Sequence, residues 1–162
     1  MRGRRSNRKM ARGMEVTILE QEKIILRGRT VIGGFAQGEA LVSVIPLMGW
    51  GNLDQRNGII LERNHPLYGV SIKGKVLVFS EPRGSGGFNR FGRTRQFGSN
   101  PVAFLYRSQL PMTVLASMEM QVPSMTDFDR DPTSVIHTGD WVIVNADTGI
   151  VEIHKNNQNG RT

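Results

Sequence analysis

Short runs rich in β-branched and aromatic residues, separated at close intervals by glycine and proline, constrain this chain more than any other feature. They read KIIL at 23–26, ALVSVI at 40–45, GIIL at 58–61, KVLVF at 75–79, VAFLY at 102–106, WVIVN at 141–145 and GIVEI at 149–153. The last two flank Ala146-Asp147-Thr148-Gly149, which puts glycine where a turn needs positive φ, so they predict a terminal hairpin. Helix is sparser. It is predicted at 111–120 and over 131–138, where Asp131 caps a turn that Pro132 starts and Gly139 ends. Met112, Met118, Met120 and Met125 are expected to fill gaps in the core. The pattern implies one mainly β domain with one or two helices.

No repeat or linker divides the chain, and 162 residues suit a single unit able to bury most of its apolar surface. The expected division is a basic tail at 1–14, a folded domain at 15–154 and a polar tail at 155–162. No apolar run approaches the roughly 18 residues of a membrane span, so a soluble protein is expected. Of the net charge of +7, +6 sits in residues 1–12, leaving +1 for all the rest. That tail reads as a solvated extension, or as a stretch upstream of a start at Met10 or Met14, weighed against a nucleic-acid arm. The near-neutral body has no RNP-type aromatic strand, which argues against an RNA-binding β-domain. The basic amino terminus lacks the apolar core of a secretory signal. With no cysteine, the chain has no disulfides, no thiolate nucleophile and no means of ligating an iron–sulfur cluster by itself, all compatible with the cytoplasm.

The catalytic inventory is short. His65, His137 and His154 are scattered without HExxH-type spacing, so no metal site is expected on this chain. A triad of Ser85, His65 and an aspartate lacks any GxSxG setting. His65 before Pro66 reads as a rigid turn. In VIGGFAQG at 31–38, turn formation accounts for Gly33, Gly34 and Gly38. PRGSGG at 82–87 is different, because charge accompanies the glycines. From Arg83 to Gly98 there are five glycines, four arginines (Arg83, Arg90, Arg93 and Arg95) and no acid. Successive glycine N–H groups make an anion-binding concavity, and guanidinium forks grip carboxylate or phosphate. Ser85 in such a nest has the option of serving as an alkoxide base. The other reading, slightly favoured on spacing alone, is a solvated and flexible basic loop.

One resemblance bears on that choice. In unbroken order over 23–154, GRTVIGGFAQGEALVSVIPL, WGNLDQRNGII, NHPLYG, IKGKVLVF, PRGSGG, NPVAF and TGDWVIVNADTGIVEI resemble the swivelling domain of aconitase X. The resemblance implies an α/β fold, a β-rich swivelling β/β/α domain. It implies a small subunit of a hydro-lyase that closes over a cysteine-containing large subunit holding iron or an iron–sulfur cluster, with no cofactor bound by this chain. Family members dehydrate cis-3-hydroxy-L-proline or mevalonate 5-phosphate, so a small hydroxy-acid anion is the implied substrate. Ser85 then matches the family's catalytic serine, with Gly84, Gly86 and Gly87 letting the backbone approach the substrate and Arg83 holding a carboxylate. Trp50, Gly51 and Asn52, in the segment PLMGWGN, would line the same pocket. Met48 stands where the family has serine and Asn52 where it has glycine. Arg90, Arg93 and Arg95 would meet a more anionic substrate, the large subunit or solvent. A catalytically inactive or regulatory swivel subunit and an RNA-binding β-domain are the alternatives.

Overall fold

The computed structural model describes residues 23–49, 52–83 and 89–156. The chain opens with β1 (Lys23–Arg27), β2 (Arg29–Ile32) and the long β3 (Phe35–Ser43). Short β4 (Leu47–Met48), β5 (Leu53–Asp54) and β6 (Ile59–Ile60) lead to β7 (Val76–Phe79) and β8 (Pro82–Arg83). Then come α1 (Asn89–Arg93) with a 3-10 turn (Thr94–Phe97), β9 (Ala103–Tyr106) and α2 (Pro111–Met120). β10 (Ser124–Thr126), α3 (Pro132–Val135) and the hairpin β11 (Trp141–Asn145) and β12 (Ile150–His154) complete it.

Eight strands form one mixed sheet in the order β1-β12-β11-β3-β7-β9-β10-β2. β3, β7, β9 and β10 run parallel, and the other pairings are antiparallel. Its two end strands, β1 and β2, are consecutive in the chain and joined only through Gly28. One bent stretch therefore serves both ends of the sheet, and the sheet curls round to meet it. At that seam the Gly28 N–H donates to Gly149 O at 3.0 Å.

β7 and β9 are buried at all four positions of each strand, because both faces of the parallel part are covered. Val76, Val78, Ala103 and Leu105 point into the curled sheet with Leu26, Met125, Val142, Val144, Val151 and Ile153. Leu77, Phe79, Phe104 and Tyr106 point the other way, against Phe91 of α1 and Ala116 and Met120 of α2. Ring centroids of Phe79 and Phe104 lie 4.9 Å apart, and those of Phe79 and Tyr106 5.6 Å. Each such side chain contributes about 1.5–3 kcal/mol through burial.

The terminal hairpin and the helix at Pro111–Met120 form as the sequence predicts, and Asp131 caps α3 by accepting the Thr133 N–H at 2.9 Å. Several expectations are corrected. The strand expected at 40–45 is Phe35–Ser43, because its first half pairs with β11 from Phe35↔Asn145 to Glu39↔Trp141. Gly38 thus lies inside a strand and not in a turn, where a Cβ would sit 3.2 Å from both Gly74 O and a Val102 methyl. The helix expected over 131–138 stops at Val135, since Ile136 is already extended. From Asn89 onward the basic segment is α1 and the 3-10 turn, with Phe91 anchored in the core. Met118 is exposed instead of filling the core, while Met120 and Met125 are buried.

Candidate functional site

In open α/β sheets, ligands bind outside the carboxyl ends of parallel strands. Here β3, β7 and β9 end in register, with Ser43 opposite Phe79 and Phe79 opposite Tyr106. The segments that leave those ends are Val44 to Gly49, Ser80 to Arg83 and Arg107 to Leu110. The first two are the stretches that lead into PLMGWGN and PRGSGG. They pair again as β4 and β8, in parallel, with Leu47↔Pro82 and Met48↔Arg83, and Leu47 N–H donates to Glu81 O at 3.1 Å. Two motifs far apart in sequence thus meet at one end of the sheet.

Arg83 is half-exposed and donates through Nη2 to Oε1 of Glu62. Asn52 is partly buried and its Nδ2 lies 2.9 Å from Sδ of Met48. Ser85, Gly84, Gly86, Gly87, Trp50 and Gly51 lie outside the described residues. Arg90 is partly buried and donates through Nη1 to Leu53 O at 3.4 Å, and Arg93 and Arg95 are exposed on α1 and the 3-10 turn.

Two groups at this end are not visible as site residues in the sequence. Glu62 sits 21 residues from Arg83 with no periodic or motif signal to link them. Arg107, at the end of β9, reaches Asp131 at 3.1 Å and Glu81 at 3.8 Å, which ties the β9 segment to the β7 segment. His65 is buried and has a defined protonation state. Its Nδ1 accepts the Leu67 N–H at 3.0 Å, so the proton sits on Nε2 and is shared with Ser43 Oγ at 2.9 Å. Ser43 Oγ donates onward to Ile45 O at 2.6 Å. Burial lowers the His65 pKa, and the ring is a neutral brace for the β3–β4 turn. The Tyr106 hydroxyl is buried beside Thr113 and Ser117 of α2 without a well-formed hydrogen bond, and that burial pushes its pKa up. Ser80 Oγ, just past the end of β7, is likewise buried without a partner.

Among the described residues no three His, Cys, Asp or Glu side chains are grouped to hold a metal ion, and the chain has no cysteine. An iron or iron–sulfur centre therefore does not fit the described donor set of this chain. Among the described residues no helix is long and apolar enough to cross a membrane.

A curled mixed sheet that gathers two separate segments at the carboxyl end of its parallel strands, with helices covering one face, defines a swivelling-type α/β domain. The model of the Aconitase X swivel domain matches residues 25–153, and the chain belongs to that family. Similar proteins include the phosphomevalonate dehydratase small subunit of Methanosarcina mazei, 34% identical over 134 residues, spanning 82% of this chain and 92% of the relative. The protein of the same name from Methanosarcina acetivorans is 35% identical with the same coverage of both chains. Among solved structures, Thermococcus kodakaraensis aconitase X in its holo-form superposes with a TM-score of 0.76 at 31% identity, covering 82% of this chain and 99% of that one.

Proposed function

We propose that this chain is the small subunit of an aconitase-X-type hydro-lyase that dehydrates a small hydroxy-acid anion, with phosphomevalonate ahead of hydroxyproline as substrate. The observation that carries this is the match along 92% of the length of phosphomevalonate dehydratase small subunits. The meeting of Met48 and Arg83 at the carboxyl ends of the parallel strands supports it by giving two separate segments one place to face a ligand.

On this reading Ser85, as its alkoxide, takes the proton from the carbon next to the substrate carboxylate, the electron pair of that C–H bond forms the carbon–carbon double bond, and the hydroxyl on the neighbouring carbon takes a proton from solvent and leaves as water. Arg83 supplies N–H donors to an anionic group of the substrate, and Gly84, Gly86 and Gly87 permit close backbone approach. Trp50, Gly51 and Asn52 wall the same space. The active site is shared with a cysteine-containing large subunit in the cytoplasm, and an iron or iron–sulfur centre belongs to that subunit. A second reading, a regulatory swivel subunit without catalytic groups, draws on the Arg83–Glu62 and Asn52–Met48 contacts, which occupy side chains that would otherwise face substrate.

The test is co-expression with the aconitase-X-type large subunit of the same genome, followed by mass spectrometry of phosphomevalonate and hydroxyproline for loss of water. Turnover of phosphomevalonate by the complex and by neither subunit alone is the expected result. A complex that forms but dehydrates neither compound supports the regulatory reading.

A further inference from the structure

The two segments on which the proposed site depends are joined by a ribbon only two residues long on each side, β4 against β8. Pairing of that length has little stability of its own. A single carboxylate spans it. Glu62, just past β6, holds Oε2 3.4 Å from the Met48 N–H and Oε1 against Nη2 of Arg83, and Met48 and Arg83 are register partners across the ribbon. The Glu62 side chain is 11% exposed and that of Arg83 52%. A carboxylate withdrawn from water to that extent requires its partners.

Glu62 is also the anchored member of the pair. Its neighbour Leu61 donates to Asn52 O at 2.7 Å, and its own carbonyl accepts the His65 N–H at 3.0 Å. His65 is in turn fixed between Leu67 and Ser43. The half-exposed guanidinium is therefore the group with freedom to move, and Glu62 is what restrains it.

We propose that Glu62 is a positioning residue that orients the Arg83 guanidinium for an anionic substrate and keeps the two site-bearing segments in register. This rests on the reading of Arg83 as the anion-binding residue of the dehydratase. Arginine carries five N–H donors, so the one given to Glu62 leaves others directed outward. Ordering the side chain in advance removes an entropic cost that substrate binding would otherwise meet. A carboxylate that instead competed with substrate for Arg83 would have the opposite effect on affinity.

The experiment uses the reconstituted complex with Glu62→Ala, Glu62→Gln, Arg83→Gln and the double variant Glu62→Ala/Arg83→Gln. Glu62→Ala is expected to raise KM for phosphomevalonate about tenfold with kcat changed by less than about threefold, and to add much less than that in the Arg83→Gln background, where only its contact with Met48 is left to lose. Glu62→Gln, which keeps an acceptor but not the charge, is expected to fall between wild type and Glu62→Ala. A lowered KM, or effects of the two sites that simply multiply, would overturn the proposal. The Arg83 guanidinium Nη–H signals of the full chain, followed by nitrogen-15 NMR, read the same contact without turnover. Their rapid exchange in Glu62→Ala but not in wild type supports positioning even if the wild-type complex proves inactive, a result that would sink the dehydratase reading alone. An identical signal in both proteins rejects positioning whatever the activity.

Discussion

Gly28 and Gly149 meet backbone to backbone at the seam of the sheet: the Gly28 N–H donates to Gly149 O at 3.0 Å, and a Cβ on Gly149 would lie 2.7 Å from Gly28 O. Gly149 also has φ +72°, so both its conformation and its surroundings exclude a side chain. Gly28 is as confined, because a Cβ there would sit 2.6 Å from the Phe128 ring.

Gly149→Ala is therefore expected to destabilise more than Gly74→Ala. Gly74 has nearly the same φ, +70°, but open space around its missing Cβ. The conformational cost common to both is about 1–2 kcal/mol. The clash at Gly149 adds about 1–3 kcal/mol. Urea unfolding of the two variants measures the difference, and equal midpoints would show that the seam yields to a methyl group.

Acidification should weaken the fold through His65 before any carboxylate responds. Burial lowers its pKa below the unfolded value of about 6.5, so between those two values the unfolded chain binds a proton that the folded chain refuses. Stability then falls as pH drops from about 6.5 toward the lowered folded pKa. Asp54, Asp131, Asp140 and Glu152 have lowered pKa values and contribute their loss only at more acidic pH. Thermal melts from neutral to mildly acidic pH should show a slope in wild type that His65→Asn, less stable at neutral pH, flattens. A slope that survives the substitution assigns it elsewhere.

Asp140 closes the turn between α3 and β11. Although burial by itself would raise its pKa, a hydrogen bond from Lys155 at 2.9 Å and backbone N–H groups of His137 at 2.8 Å and Asn156 at 3.1 Å lower it. The Asp140 side chain is 4% exposed and that of Lys155 19%. Asp140→Asn leaves Lys155 without its counter-charge and is expected to cost about 3 kcal/mol. Chemical denaturation is the check, and a loss under about 1 kcal/mol would class the pair with exposed ion pairs.

Ser85→Ala in the reconstituted complex is expected to abolish turnover while assembly with the large subunit is unchanged. Single-turnover assays and size-exclusion chromatography separate the two. Activity within a few-fold of wild type would remove Ser85 from the mechanism.

The legibility of these features in the sequence varied with how local their causes are. The hairpin at β11 and β12 and the helix Pro111–Met120 carry their own turn and start signals, and both form where those signals lie. β2 and β10 carry none: Arg29–Ile32 is a strand because β10 pairs with it, and Ser124–Thr126 because β9 and β2 flank it. Gly38 misled because a glycine needed for close packing inside a strand looks the same in sequence as one needed for a turn. Arg83 stood out by composition, whereas Glu62 has no local pattern that connects it to Arg83 or to Met48.

By itself the sequence determined the β-rich class, the strands with apolar runs, the terminal hairpin, the lack of thiol ligands on this chain and, through its ordered motifs, the family. Those properties depend on side-chain type and short-range backbone preference. Only the tertiary structure decided that the consecutive strands β1 and β2 serve opposite ends of the sheet, that Met48 and Arg83 lie side by side, and that Glu62 spans them with His65 braced behind it. Each of these joins residues distant in the chain, and such pairings are selected by the common burial of two cores around one sheet, a condition that no short stretch of sequence carries.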